Sequence, residues 1–141
     1  MLKTAFPQMD VYRQRVLESA RQYGFVRTLA GRVRYLPEIN SVVSVKRTTA
    51  ERQAFNTVVQ GSAADVMKMA MIAMEHDVLS VHRDVVHLLT QIHDEVVFAV
   101  RKSCVAEMVR KISHVMSHAT SLLVPLTVTA KVGPSLSELE E

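Results

Sequence analysis

The stretch VVHLLTQIHDEVVFAV, Val85 to Val100, carries the reading of the fold. Two apolar, strand-like runs, Val85 to Ile92 and Val96 to Val100, flank a short polar interruption. His93 and Asp94 make a two-residue connection, the right length for a tight hairpin turn. Glu95 follows at once, so two carboxylates stand side by side next to a core. There they must be solvated, paired or bound to a cation.

Outward from this hairpin the pattern changes period. Downstream, Val105, Met108, Val109, Ile112, Val115, Met116 and Ala119 recur at helical spacing, which predicts a helix over about Cys104–Leu123 with Ser103 as its cap and Pro125 beyond its end. Leu126, Val128, Ala130 and Val132 then alternate with polar residues, the pattern of a half-buried strand. The tail SLSELEE reads as frayed. Upstream, a helical pattern runs from about Thr48 to Leu79, with Thr48 or Thr49 as cap, Glu51 in the first turn and a bend at Gly61. Pro37 to Val45 looks irregular. GFVRTLAGRVRYLP places two short apolar stretches around Ala30-Gly31, a second hairpin. Met9, Tyr12, Val16, Ala20 and Tyr23 predict an amphipathic helix stopped by Gly24. Helices and at least three strands without βαβ alternation predict an α+β fold, with helices packed on a small antiparallel sheet.

The chain has 141 residues, 48% of them hydrophobic and 22% charged, the balance of an ordinary globular domain with a real core. A net charge of +3 permits a nucleic-acid partner without demanding one. The single cysteine, Cys104, excludes an internal disulfide framework and a cysteine-built zinc site. No run reaches the ~18 apolar residues of a membrane helix. His76, His82, His87, His114 and His118 place no third metal ligand, and Asp65 with Lys68 and Met69 reads as a helix surface group.

Three constellations can carry chemistry. His93-Asp94-Glu95 lifts two hard oxygen donors to a fixed place at a strand end, which suits Mg²⁺, an ion that keeps its other positions for water and phosphates. A solvated turn explains the same letters. Arg52, Asn56 and Gln60 stand at i, i+4 and i+8 on one helix face and offer donors to the sequence-tolerant minor groove of a duplex. A plain exposed face is the competing explanation. Arg27, Arg32 and Arg34, with Lys46 and Arg47 nearby, are able to meet phosphates along one side of the first hairpin, although charged surface clusters are common.

GFVRTLAGRVRYLPEI, AERQAFNTVVQGSAADVMKMAMI and LLTQIHDEVVF, in this order, resemble the C-terminal part of family A DNA polymerases, over about Phe6 to Leu139. The wording NTVVQGSAA is closer to the theta and nu type. QGSAAD and HDE together are specific; either alone is much weaker. The resemblance implies residues 1–45 as the end of the fingers and 46–141 as the C-terminal half of the palm. It implies Asp94 as a ligand of two catalytic Mg²⁺ ions shared with an aspartate upstream, Glu95 as an auxiliary carboxylate and metal ligand, and His93 as a contact to the primer end. It implies Arg52, Asn56 and Gln60 as contacts to the primer–template duplex, with deoxynucleoside triphosphates and the remainder of the polymerase as further partners. The activity implied is two-metal nucleotidyl transfer onto a primer 3′-hydroxyl in DNA repair or replication, in an intracellular setting: nuclear or mitochondrial if eukaryotic, cytoplasmic if bacterial. Ala99, Val33 and Leu136 depart from the family's usual glutamate, arginine and tryptophan. The family's first catalytic aspartate, its nucleotide-holding fingers helix and its thumb do not occur in these residues. The expectation is therefore a piece of a polymerase, inactive by itself and with an open sheet edge. A non-catalytic nucleic-acid-binding module derived from a polymerase is the alternative, and an unrelated α+β interaction domain a distant third.

Overall fold

The computed structural model describes residues 7–139. They divide into two compact units that meet in sequence between Asp65 and Val66. Helices and two separate antiparallel hairpins, each of two strands, make up the expected α+β fold.

In the first unit, α1 (Pro7–Tyr23) opens on a proline, whose missing N–H costs nothing at a helix start. Gly24 ends it with φ +76° and bonds back to the Ala20 carbonyl at 2.8 Å. The buried residues of α1 are Leu17 and Ala20, with Val16 packed against the same core, whereas Met9, Tyr12 and Tyr23 stay exposed, so the predicted stripe is buried at Val16 and Ala20, where Leu17 joins it, and open at its two ends. Strands β1 (Phe25–Arg27) and β2 (Val33–Tyr35) pair with Val26 opposite Arg34. Gly31 turns their connection with φ +83°. Helix α2 (Ser44–Asn56) follows. Leu17, Ala20, Val26, Leu36, Ile39, Ala50 and Ala54 form the core. Three alanines at this contact allow α1 and α2 to approach closely, and Arg21 bonds Glu51 across them at 2.8 Å.

Helix α2 begins one turn before the expected cap. Arg47 donates to the Ser41 carbonyl (3.0 Å) and Lys46 pairs with Glu38 (3.2 Å), which anchors the earlier turn. Thr48 is therefore interior and its hydroxyl bonds the Ser44 carbonyl. Glu51 lies beyond the first turn. At the expected bend the helix widens into a π turn, Thr57–Gly61, before α3 (Ser62–Met74). A second π turn, Glu75–Leu79, closes the helical run.

In the second unit, β3 (Val86–Ile92) and β4 (Glu95–Val100) pair antiparallel. Leu89 is an extra residue between the Leu88–Phe98 and Thr90–Val97 pairs, a bulge that increases local twist below the turn. A 3₁₀ turn, Lys102–Cys104, leads into α4 (Val105–Ser117). Met74, Val78, Val86, Met108 and Ile112 form this unit's core, with Val96, Phe98 and Val100 against it. Lys111 bridges Glu107 (2.8 Å) and His82 Nε2 (2.9 Å), and its hydrogen bond and charge hold the Glu107 carboxyl below the usual carboxylate range.

Three expectations here are corrected. Ser103 does not cap α4, because it sits inside the 3₁₀ turn, and the helix stops at Ser117 rather than Leu123. Thr120 and Ser121 favour side chain–backbone bonding over helix, and Val124 precedes a proline. Residues 126–132 form no strand, only an isolated bridge at Val132. Leu126 and Val128 are still the more buried of the run, but among the described residues no ladder partner accepts the segment. The tail keeps one 3₁₀ turn, Leu136–Glu138, pinned by Ser135 on Glu138. Residues 140 and 141 lie outside the described residues. Among the described residues no helix is long and apolar enough to cross a membrane.

Candidate functional site

In the second unit the turn forms where the sequence places it, with Ile92 opposite Glu95 and His93-Asp94 as the connection. His93 has φ +55° and is the one non-glycine residue with positive φ among those described. Positive φ at the first central position and not the second is the sign pattern of a type II′ turn, where glycine is usual. Gln91 Nε2 holds the His93 carbonyl at 2.9 Å. A side chain more costly than glycine thus stands at a position that this hydrogen bond helps to fix. His93, Asp94 and Glu95 are all exposed. Two adjacent carboxylates with open surroundings fit the protein's share of a magnesium site, which takes one or two carboxylates and leaves the rest to water and phosphate. Among the described residues no group of three or more ligand-type side chains gathers, so these residues complete no metal shell alone. His114 and His118 stack at 4.2 Å, with His118 Nδ1 on the His114 carbonyl.

In the first unit, Arg52, Asn56 and Gln60 are all exposed, on α2 and the π turn that continues it. The basic hairpin residues are less uniform than their clustering suggests. Arg27 lies over the Phe25 ring at 5.1 Å and donates to the Gly31 carbonyl at 3.3 Å. Arg34 reaches Thr57 Oγ at 3.3 Å. Arg32 is exposed but tied down: Nε donates to Asp65 Oδ1 at 3.0 Å and Nη2 to the Gly61 carbonyl at 3.1 Å. Asp65 is accordingly buried, not the helix surface group its spacing to Lys68 suggests. Lys46 and Arg47 serve α2's first turn. Ser62 went unnoticed in the sequence: its hydroxyl accepts the Leu29 N–H at 2.8 Å and donates to the Val58 carbonyl. A Gly-Ser pair inside a helical run is the available signal, since both residues weaken helix.

The described residues make an α+β chain with a carboxylate-tipped hairpin and, separately, a donor-bearing helix face. Its family is more definite: residues 2–138 match the model of DNA polymerase family A, and the chain belongs to that family. It is 41% identical to DNA polymerase I of Pseudomonas aeruginosa over 94% of this chain and 14% of that protein. It is 39% identical to DNA polymerase theta of Drosophila melanogaster over 97% of this chain and 7% of that protein. The thermostable DNA polymerase I of Thermus filiformis is 40% identical, over 97% of this chain and 16% of that protein. These near-equal identities favour neither the bacterial nor the theta branch. The POL domain of Pol1 from M. smegmatis, solved in complex with DNA primer-template and dNTP, matches with a TM-score of 0.82 and 35% identity, over 91% of this chain and 23% of that one. The chain thus spans a small fraction of its relatives' length.

Proposed function

We propose that these residues are the C-terminal catalytic segment of a DNA-directed DNA polymerase, spanning the end of the fingers and the C-terminal half of the palm, and that they act in DNA repair or replication. The observation that carries this reading is the exposed Asp94-Glu95 pair, on the hairpin turn and the first position of β4, in a family A chain. Asp94 holds catalytic magnesium together with an aspartate outside this segment, Glu95 supports it, and His93 touches the primer end. When bound, the metal pair activates the primer 3′-hydroxyl and neutralises charge on the triphosphate. Arg52, Asn56 and Gln60 follow the minor groove of the primer–template duplex, and Arg27 and Arg34 meet its phosphates.

Two results test this. Purified as 141 residues, the chain is expected to give no Mg²⁺-dependent primer extension, because one carboxylate turn supplies too few ligands for two ions. Robust extension would sink that expectation. In the native polypeptide that carries this segment, Arg52→Ala and Gln60→Ala are each expected to weaken primer–template binding about tenfold. Arg52→Ala is also expected to lower the salt slope by about one. Unchanged affinity would remove the row from the duplex. A native polypeptide that binds duplex through the row but extends no primer would favour the non-catalytic module.

A further inference from the structure

In a straight α-helix, side chains four apart drift by roughly 40° around the axis at each step, so Gln60 would stand well round from Arg52. The π turn Thr57–Gly61 lies between Asn56 and Ser62. Its wider i→i+5 winding works against that drift and brings the row back towards a single line. Such a turn is rare and poorer in bonding than α-helix, so it needs support from outside its own ladder.

The tip of the first hairpin supplies that support. The tip is closed on itself: Thr28 N–H bonds the Arg32 carbonyl (3.0 Å), Gly31 N–H the Thr28 carbonyl (2.9 Å), and Arg32 N–H the Thr28 hydroxyl (3.1 Å). From this rigid tip, Leu29 N–H reaches Ser62 Oγ, Arg32 Nη2 reaches the Gly61 carbonyl, and Arg32 Nε reaches Asp65. Two carbonyls of the π turn, Val58 and Gly61, therefore accept from side chains. The approach is so close that a Cβ at Gly61 would stand 2.8 Å from Thr28 Cγ2.

We propose that the hairpin tip Thr28–Arg32 is a clamp on the π turn, and that Gly61, Ser62 and Asp65 are positioning residues that set the angle at which Asn56 and Gln60 meet a bound duplex. This rests on the duplex reading of the Arg52–Asn56–Gln60 row. It moves Arg32 from phosphate contact to positioning group.

The test uses the native polypeptide and two primer–template duplexes, one normal and one with 3-deazaadenine near the primer terminus, which deletes a minor-groove acceptor. The wild type is expected to bind the analogue about 3- to 10-fold more weakly than the normal duplex. Asp65→Asn and Ser62→Ala are expected to bind the normal duplex more weakly by a similar factor and to lose discrimination against the analogue. Gly61→Ala is expected to behave likewise, and Thr28→Ser to restore it by removing the methyl while keeping the hydroxyl. Variants that melt at lower temperature but keep wild-type discrimination would overturn the clamp alone. A wild type indifferent to the analogue, with Arg52→Ala and Gln60→Ala binding normally, would overturn the duplex reading and the clamp with it.

Discussion

Asp94→Asn in the native polypeptide is expected to lower primer extension by at least about 10³-fold while leaving duplex affinity within about twofold. The amide keeps the size and shape of the carboxylate but carries no charge, so it would hold a divalent ion weakly, and the ion's compensation of the charge that develops on phosphoryl oxygens would be lost with it. Asp94 is exposed at a hairpin tip, so folding is expected to survive. Steady-state extension and equilibrium binding on one primer–template measure both halves of the result. Extension at the wild-type rate would refute Asp94 as a metal ligand. A matched loss of binding would instead make it a duplex contact.

Met108→Ala carries the second large effect, on stability. Met108 is 1% exposed in a cluster with Met74, Val78, Val86 and Ile112, and Val86 is the first residue of β3. Truncation of such a side chain costs about 2–5 kcal/mol through lost burial and the cavity left behind. That is a large part of the stability of an ordinary domain. Because Val96, Phe98 and Val100 of β4 pack on the same cluster, the hairpin that presents Asp94 is expected to loosen with it. Leu89→Ala is the matched control: Leu89 is 61% exposed at the bulge and its loss is expected to fall within about 0.5 kcal/mol. Urea unfolding of both variants decides the point. A Met108→Ala cost below about 1 kcal/mol would mean that the hairpin's base is held by something else.

The elements that were legible in the sequence share one property: their hydrogen bonds close within a short stretch of chain. The hairpin of Val86–Ile92 with Glu95–Val100 follows from alternating apolar residues around a two-residue turn, and the first hairpin from two apolar stretches around Gly31. The helical run broken near Gly61 was readable for the same reason. The motifs QGSAAD and HDE, in order, were enough to point to the family to which the chain belongs.

Tertiary structure decided what depends on a distant partner. Residues 126–132 carry a strand's alternation but form no strand, since a strand exists only against another. Ser44 starts α2, ahead of the threonines that look like caps, because Arg47 and Lys46 are tied to Ser41 and Glu38. Asp65 looks like a surface group at its spacing to Lys68, yet it is buried and bonded to Arg32, 33 positions earlier. Local periodicity says which groups can bond along one element. Which carboxylate is buried, where a helix widens and which arginine still faces solvent follow from burial and long-range pairing, because only packing brings such groups within bonding distance.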